Sequence, residues 1–441
     1  MQRPLLSFLV VLALANAGPA PGQVLGGGPP GGLPALPAAG DALRGLTGEA
    51  RTVTRDSVLR PVREAVEAAR PTRVVGRDLL RRNPRVLEAD DAGRPVVRGE
   101  VTALGMSEAV LAAARSAGFT LKSRERITGL DLEAIVLVPP KGDSAREAVK
   151  RLRTLDPDGQ YDFNHIYFAS GASAAPTAVD SGSAGSGRGL RIGLVDGSVE
   201  PAAAGARVVQ RAFGPGGAKV SAHATAVASL IAGEGADFRG AVPGATVYVA
   251  DVYGPTPAGG SAMTITRGLG WLAEQGIPVI NVSLVGPPNA LLAAAVHSLT
   301  RRGHILVAAV GNDGPAAPPL YPAAYPEVVG VTGLDPRRRV LPEAARGPQV
   351  DFAAPGAGLA AAGPRGGYVA VRGTSYAAPL VAGLAAQLTP EAAPGAVART
   401  VAALARRATD LGAAGPDAIF GKGGLALELA TPPAALARAR R

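Results

Sequence analysis

The chain has 441 residues, 47% of them hydrophobic, which is enough for two or three domains with a sizeable buried core. It contains no cysteine, and this removes disulfides, thiolate metal sites and cysteine nucleophiles together. The formal net charge is +10, but the basic residues are mostly arginines spread along the chain without interleaved aromatics, so no nucleic-acid partner is expected.

Residues 1–17 read as a secretory signal: Arg3 is followed by an apolar run from Leu5 to Leu14 and an Ala15-Asn16-Ala17 step. The run is too short to cross a bilayer, and no later segment offers an uninterrupted span. The expected product is exported, periplasmic or extracellular, with no membrane anchor once the signal is removed. Residues 18–40 are Gly, Pro and Ala with little else, the composition of a linker. Residues 41–90 form a helical N-terminal segment, amphipathic up to Arg82 and broken at Pro61. From 91 to 170, helical spacing in Ser107–Phe119 and Ser144–Leu155 alternates with strand-like "VVRGEVTAL", "LEAIVLVPP" and "YDFNHIYFA". That pattern predicts a small α+β domain with helices on one face of an antiparallel sheet. Residues 171–190, rich in Gly, Ala and Ser, read as a flexible linker.

From 191 to 430 the pattern changes to strand alternating with helix. "RIGLVDGSV", "ATVYVADVYG", "IPVINVSLVG" and "HILVAAVGN" are apolar strands, and "HATAVASLIAG", "MTITRGLGWLAEQG" and "ALLAAAVHSLTRRG" are the helices between them. Apolar strands joined by crossover helices imply an α/β fold, a parallel sheet flanked by helices on both faces. In such sheets ligands and chemistry collect beyond the carboxyl ends of the strands. Residues 431–441 are a C-terminal tail.

Within this part, "RGTSYAAPLVAGLAAQL" sets Ser375 before a run that is apolar on every side and therefore buried. Pro379 is tolerated best in a first helical turn, so the helix is expected to start at about Ser375, whose side chain then meets free backbone N–H groups. Alone, Ser375 reads as a helix cap. Three further residues sit at strand ends or helix starts: Asp196 closes "RIGLVD", His223 opens "HATAVASLIAG", and Asn312 follows "HILVAAVG". Singly, these are turn formers and caps. Together they run in the order Asp, His, Asn, Ser through one α/β domain, the order of the subtilisin arrangement.

On these blocks, "GLVDGSV", "HATAVASLIAG", "VAAVGNDG" and "GTSYAAPLVAGLAA", the segment from about Arg191 to Leu427 resembles the subtilisin-like (S8) serine peptidases. The resemblance implies a subtilisin-like sheet, with Ser375 as nucleophile, His223 as general base, Asp196 orienting the imidazole, and Asn312 with the Ser375 N–H receiving the oxyanion. It also implies a primary pocket walled by Ser283, Leu284, Val285 and Gly286 on one side and Ala309, Val310 and Gly311 on the other. Neither stretch carries a carboxylate, so an apolar or small residue is expected before the scissile bond. Ala224 and Ala226 replace the Gly and His usual in the family, and Asp-Gly-Ser replaces its usual Asp block. His165, His297 and His304 are expected to be structural or solvated. The 91–170 domain resembles the family's propeptides in position and element order, so the chain is expected to have its own N-terminal domain as a partner besides polypeptide substrates. The end of that domain, Tyr167 to Ser170, would occupy the cleft, with cleavage between Phe168 and Gly189. Calcium is a possible cofactor by resemblance only, since no compact carboxylate loop marks a site. The alternative on the same fold is a catalytically weak peptide-binding or maturation factor, with esterase chemistry as a variant.

Overall fold

The computed structural model describes residues 71–173, 187–235 and 238–432. The expected signal segment, the linker at 18–40, the helical segment up to residue 70, residues 174–186 of the second linker and the tail from 433 lie outside the described residues.

Helix α1 (Thr72–Arg82) is followed by β1 (Leu87–Ala89), β2 (Pro95–Leu104), α2 (Glu108–Ser116), β3 (Thr120–Ile127), β4 (Leu132–Val138), α3 (Ala145–Leu155) and β5 (Gln160–His165). The strands form one antiparallel sheet, ordered β1-β2-β4-β3 with β5 also on β2. The sheet thus takes in Leu87–Ala89, which the expected boundary at 91 left with the helical segment. Both covering helices start on serine caps: Ser107 accepts from the Val110 N–H, and Ser144 forms a reciprocal capping box with Glu147. Alternation along β4 gives the sheet two apolar faces. Ile135 and Leu137 pack with Leu111, Val149 and Leu152 of α2 and α3, whereas Ala134 and Val136 join a cluster with Leu269 and Trp271 of the second domain.

That second face is a docking face. The Glu125 carboxylate pairs with the Arg267 guanidinium, the Ser298 hydroxyl donates to the Leu130 carbonyl, and Arg302 Nη1 donates to the Gly129 carbonyl at 2.8 Å. After β5 the chain leaves the first sheet. β6 (Phe168–Ala169) and β7 (Ala172–Ser173) pair instead with strands of the second domain.

The second domain runs β8 (Arg191–Asp196), α4 (Pro201–Ala204), β9 (Arg207–Ala212), α5 (Ala222–Ala232), β10 (Thr246–Asp251), α6 (Ala262–Glu274), β11 (Val279–Val282), β12 (Leu284–Val285), α7 (Ala290–Arg301), β13 (Ile305–Ala309), β14 (Val329–Leu334), β15 (Phe352–Pro355), β16 (Ala357–Ala362), β17 (Tyr368–Arg372), α8 (Thr374–Leu388) and α9 (Ala396–Arg407). Seven of these strands form a parallel sheet, ordered β15-β14-β13-β11-β8-β10-β9. Strands β9, β14 and β15 extend it beyond the alternation read from the sequence. β9 is largely exposed at the sheet edge and lacks the apolar run of its neighbours. Helices α5 and α8 are apolar all round because they pass through the main core, packed against the sheet and against each other.

Candidate active site

Helix α8 begins one residue earlier than expected, with Gly373 at the cap position and Ser375 as its second residue. Pro379 therefore lies in the second turn rather than the first. Its missing N–H leaves the Ser375 carbonyl without a helical donor, and the Ser283 hydroxyl supplies one at 3.0 Å. The proline thus ties the start of α8 to the strand that borders the cleft.

Three elements bring their ends together here. Asp196 is the last residue of β8, 1% exposed, and accepts from the Gly197 N–H at 2.7 Å. His223 is the second residue of α5, whose start is fixed by Ser221, the hydroxyl of which accepts from the Ala224 N–H at 3.2 Å. Ser375 is fully buried. His223 Nδ1 lies 2.7 Å from Asp196 Oδ2, and His223 Nε2 lies 2.9 Å from Ser375 Oγ. A carboxylate only accepts, so Nδ1 carries a proton, and in the neutral imidazole Nε2 then presents its lone pair to the serine hydroxyl. Ala224 and Ala226 are fully buried in an unbroken α5, so the extra methyl at 224 does not disturb the helix carrying the imidazole.

The Tyr376 ring, fully buried, stands 5.3 Å from the His223 ring. Burial, and then the Asp196 charge, push its hydroxyl well above the ordinary phenol value, so it stays neutral. That hydroxyl has no hydrogen-bond partner among the described residues.

The Asn312 Oδ1 accepts from the Thr374 N–H at 3.1 Å, which turns its amide NH₂ toward the cleft. There it meets the first domain's own chain. Ser170 Oγ accepts from Asn312 Nδ2 at 2.8 Å, and the Ser170 carbonyl accepts from the Ser375 N–H at 3.3 Å. A β-carbon on Gly373 would lie 2.9 Å from Gly171 Cα, 3.2 Å from Asn312 Nδ2 and 3.3 Å from the Ser170 oxygen. A glycine with φ of 138° is what lets these three groups converge.

The approach to this point is a strand on each side. β6 pairs antiparallel with β12, Ala169 opposite Leu284 and Phe168 opposite Val285, and the Ser170 N–H donates to the Ser283 carbonyl at 3.2 Å. β7 pairs antiparallel with β17, Ala172 opposite Arg372 and Ser173 opposite Val371. The segment read as a linker from residue 171 therefore begins as a paired strand. Tyr167 is fully buried: its N–H donates to the Gly260 carbonyl at 2.8 Å and its hydroxyl to the Pro287 carbonyl at 2.7 Å. Its ring lies over Gly286, where a β-carbon would collide with it.

Of the residues expected to wall the pocket, Ser283, Leu284, Val285 and Gly286 all meet this tail. Gly311 donates its N–H to Thr374 Oγ1 at 3.2 Å beside it, while Ala309 and Val310 are buried and bonded to β14. Sequence reasoning missed Ser221 and Tyr376. Ser221 was the one legible in principle, since a serine just before an apolar helical run is a cap signal.

The other histidines lie elsewhere. His165 is buried between the domains, with Nε2 3.2 Å from Asp90 Oδ2 and Nδ1 3.1 Å from Asn289 Nδ2. His297 is exposed beside Glu327, and His304 Nδ1 donates to the Ile277 carbonyl at 2.7 Å, burial pushing its pKa down. Among the described residues no three His, Asp or Glu side chains come together as a cation site. No helix among them is long and apolar enough to cross a membrane.

The parallel sheet and the hydrogen-bonded carboxylate, imidazole and hydroxyl at its carboxyl end define the class, a subtilisin-like α/β protein. Residues 205–423, just under half of the chain, match the model of the subtilase family. It is 38% identical over 167 residues to Subtilisin Savinase of Lederbergia lenta, covering 37% of this chain and 61% of that one. It is likewise 38% identical over 167 residues to M-protease of Shouchella clausii, covering 37% of this chain and 43% of the relative. The chain thus spans about half the length of these curated relatives. Among solved structures, fervidolysin from Fervidobacterium pennivorans, a keratinolytic enzyme related to subtilisin, shares the fold with a TM-score of 0.62 at 19% identity, over 78% of this chain and 61% of that one.

Proposed function

We propose that the chain is an exported serine endopeptidase, made as a precursor that cuts its own Ser170–Gly171 bond and then hydrolyses other polypeptides. One observation carries this reading. A continuous extended segment passes through the cleft, paired with β12 before Ser375 and with β17 after it, and its Ser170 carbonyl lies at the Ser375 N–H. Strand addition of this kind is how extended peptides are gripped without dependence on most side chains.

In this reading Ser375 Oγ attacks the Ser170 carbonyl carbon while His223 Nε2 takes its proton, and Asp196 keeps the imidazole in the right tautomer and stabilises the imidazolium. The oxyanion is received by the Ser375 N–H at the start of α8 and by the Asn312 amide, which turns from the Ser170 hydroxyl toward the carbonyl oxygen as charge develops. His223 then returns the proton to the Gly171 nitrogen and the bond breaks. Water, with His223 again as base, hydrolyses the acyl-enzyme and leaves Ser170 as a carboxylate. The domain ending at Ser170 acts as the chain's own inhibitor until it dissociates, and residues 1–17 supply the export signal. Later substrates lie as this tail does.

Labelling with a fluorophosphonate, together with turnover of casein and of short esters, tests the reading. It expects Ser375-dependent labelling and casein hydrolysis. A protein that binds extended peptides yet is neither labelled nor hydrolytic is the peptide-holding factor instead.

A further inference from the structure

Beside the two walls on the acyl side of the Ser170–Gly171 bond stands a residue that neither wall supplies. A β-carbon built on Gly311 would lie 2.6 Å from Leu320 Cδ1 and 3.6 Å from Val285 Cγ1. Leu320 therefore fills the gap between the Ser283–Gly286 wall and the Gly311–Asn312 wall. Backbone bonds fix it there. The Tyr321 N–H donates to the Gly286 carbonyl and the Gly286 N–H to the Tyr321 carbonyl, both at 2.9 Å, and the Leu320 carbonyl accepts from the Ala324 N–H at 3.1 Å. Leu320 also lines a cavity of about 520 Å³, together with Gly286, Asp313 and Phe168 among others but not Ser170. Ser170 itself, with a side chain of one carbon and a hydroxyl, is 4% exposed.

We infer that Leu320 limits the residue before the scissile bond to small side chains, by separating the Ser170 position from that cavity. The preferred substrates are then polypeptides with Ser, Ala or Gly at the cut. The inference rests on the proposed peptidase reading and names a specificity-determining residue for it. One methylene too many or too few in such a pocket changes rates by roughly tenfold or more, so a benzyl group against a leucine side chain is excluded strongly.

The test uses the full-length precursor. Ser170→Ala and Ser170→Phe are each made with Leu320 and with Leu320→Gly, and conversion to the fragment beginning at Gly171 is timed. With Leu320 present, the Phe precursor should be processed at least about a hundredfold more slowly than the Ala precursor. Leu320→Gly should narrow that ratio at least about tenfold. Mature enzyme of both backgrounds, given "HIYFASGASA" peptides with Ser, Ala, Leu or Phe at the Ser170 position, should show the same change. Fluorophosphonate labelling checks that the Leu320→Gly site is assembled, and the size preference with Leu320 in place stands without that variant. Equal processing of Ala and Phe precursors, or a ratio that Leu320→Gly leaves unchanged in a labelled protein, would overturn the inference while leaving the peptidase reading intact. Absence of any precursor cleavage and of any peptide turnover would overturn both.

Discussion

Truncating Tyr167 should loosen the cleaved N-terminal domain far more than removing its hydroxyl alone. The side chain is fully buried against Gly286, and its hydroxyl donates to the Pro287 carbonyl at 2.7 Å. Burial pushes the phenol well above its ordinary pKa, so it remains a neutral donor at any working pH. A buried tyrosine removes about 150–250 Å² from water, which at about 25 cal/mol per Å² is roughly 4–6 kcal/mol as an upper figure. Aromatic-to-alanine replacements in cores cost about 3–5 kcal/mol, so Tyr167→Ala should weaken the noncovalent complex after cleavage by roughly two to three powers of ten or more. Tyr167→Phe keeps the ring and loses one hydrogen bond, about 1 kcal/mol or roughly fivefold. The assay is the appearance of casein-hydrolysing activity as processed protein is serially diluted. The midpoint should move to higher concentration slightly for the Phe variant and by orders of magnitude for the Ala variant. Superimposable dilution curves for wild type and Tyr167→Ala would refute the tail's role as the anchor.

Further outcomes follow from the same geometry. Asn312→Ala should lower kcat on peptides by about a hundred- to a thousandfold with little change in KM, a scale taken from the equivalent donor in subtilisin, and steady-state kinetics on one peptide checks it. Gly171→Val should slow self-processing, because a β-carbon there collides with Ser375 Oγ and comes within 2.7 Å of Tyr376 Cε2. Overpacking of about 1–3 kcal/mol predicts a roughly five- to 150-fold slower appearance of the cleaved chain on a gel time course. Acid should act through Asp90. Burial pushes that carboxyl up, but the hydrogen bonds from His165 and the Arg94 N–H and the charges of both side chains outweigh it and hold the pKa at about 2. A folded pKa below the unfolded value of about 3.9 means stabilisation that is complete above that value and is lost as pH falls toward 2. Chemical unfolding of the Ser375→Ala precursor at pH 5 and pH 2.5 should show this loss, and Asp90→Asn should show less of it.

The alternation of apolar strands and helices from residue 191 announced a parallel sheet. The positions of Asp196, His223 and Ser375 at strand and helix ends announced where chemistry collects. Those features are local in the chain, and periodicity reports them. What stayed hidden depends on partners. "YDFNHIYFA" reads as one strand, but it changes sheets after His165, because alternation says that a strand forms and not which edge it joins. "IPVINVSLVG" divides in the same way at Ser283, and its second half borders the cleft. Gly171 opens a stretch with the small-residue composition of a linker, and the lack of a β-carbon is also what the close approach of this position to Ser375 and Tyr376 requires. Strand β3, "TLKSRERI", was obscured by its charges, which face solvent and Arg267. Pro379 argued for a first-turn position until Ser283 proved to take over the carbonyl bond that it frees.

On the proposed reading, Ser375 cuts the bond it faces. Intact mass and N-terminal sequencing of the purified full-length chain, beside Ser375→Ala prepared identically, test it most directly. A wild-type chain beginning at Gly171 and an uncut variant are expected, with the variant's turnover lower by roughly a millionfold on the scale measured for subtilisin. A Ser375→Ala chain cut at the same bond at the same rate, or a fully active wild-type chain still covalently joined through Ser170, would contradict it.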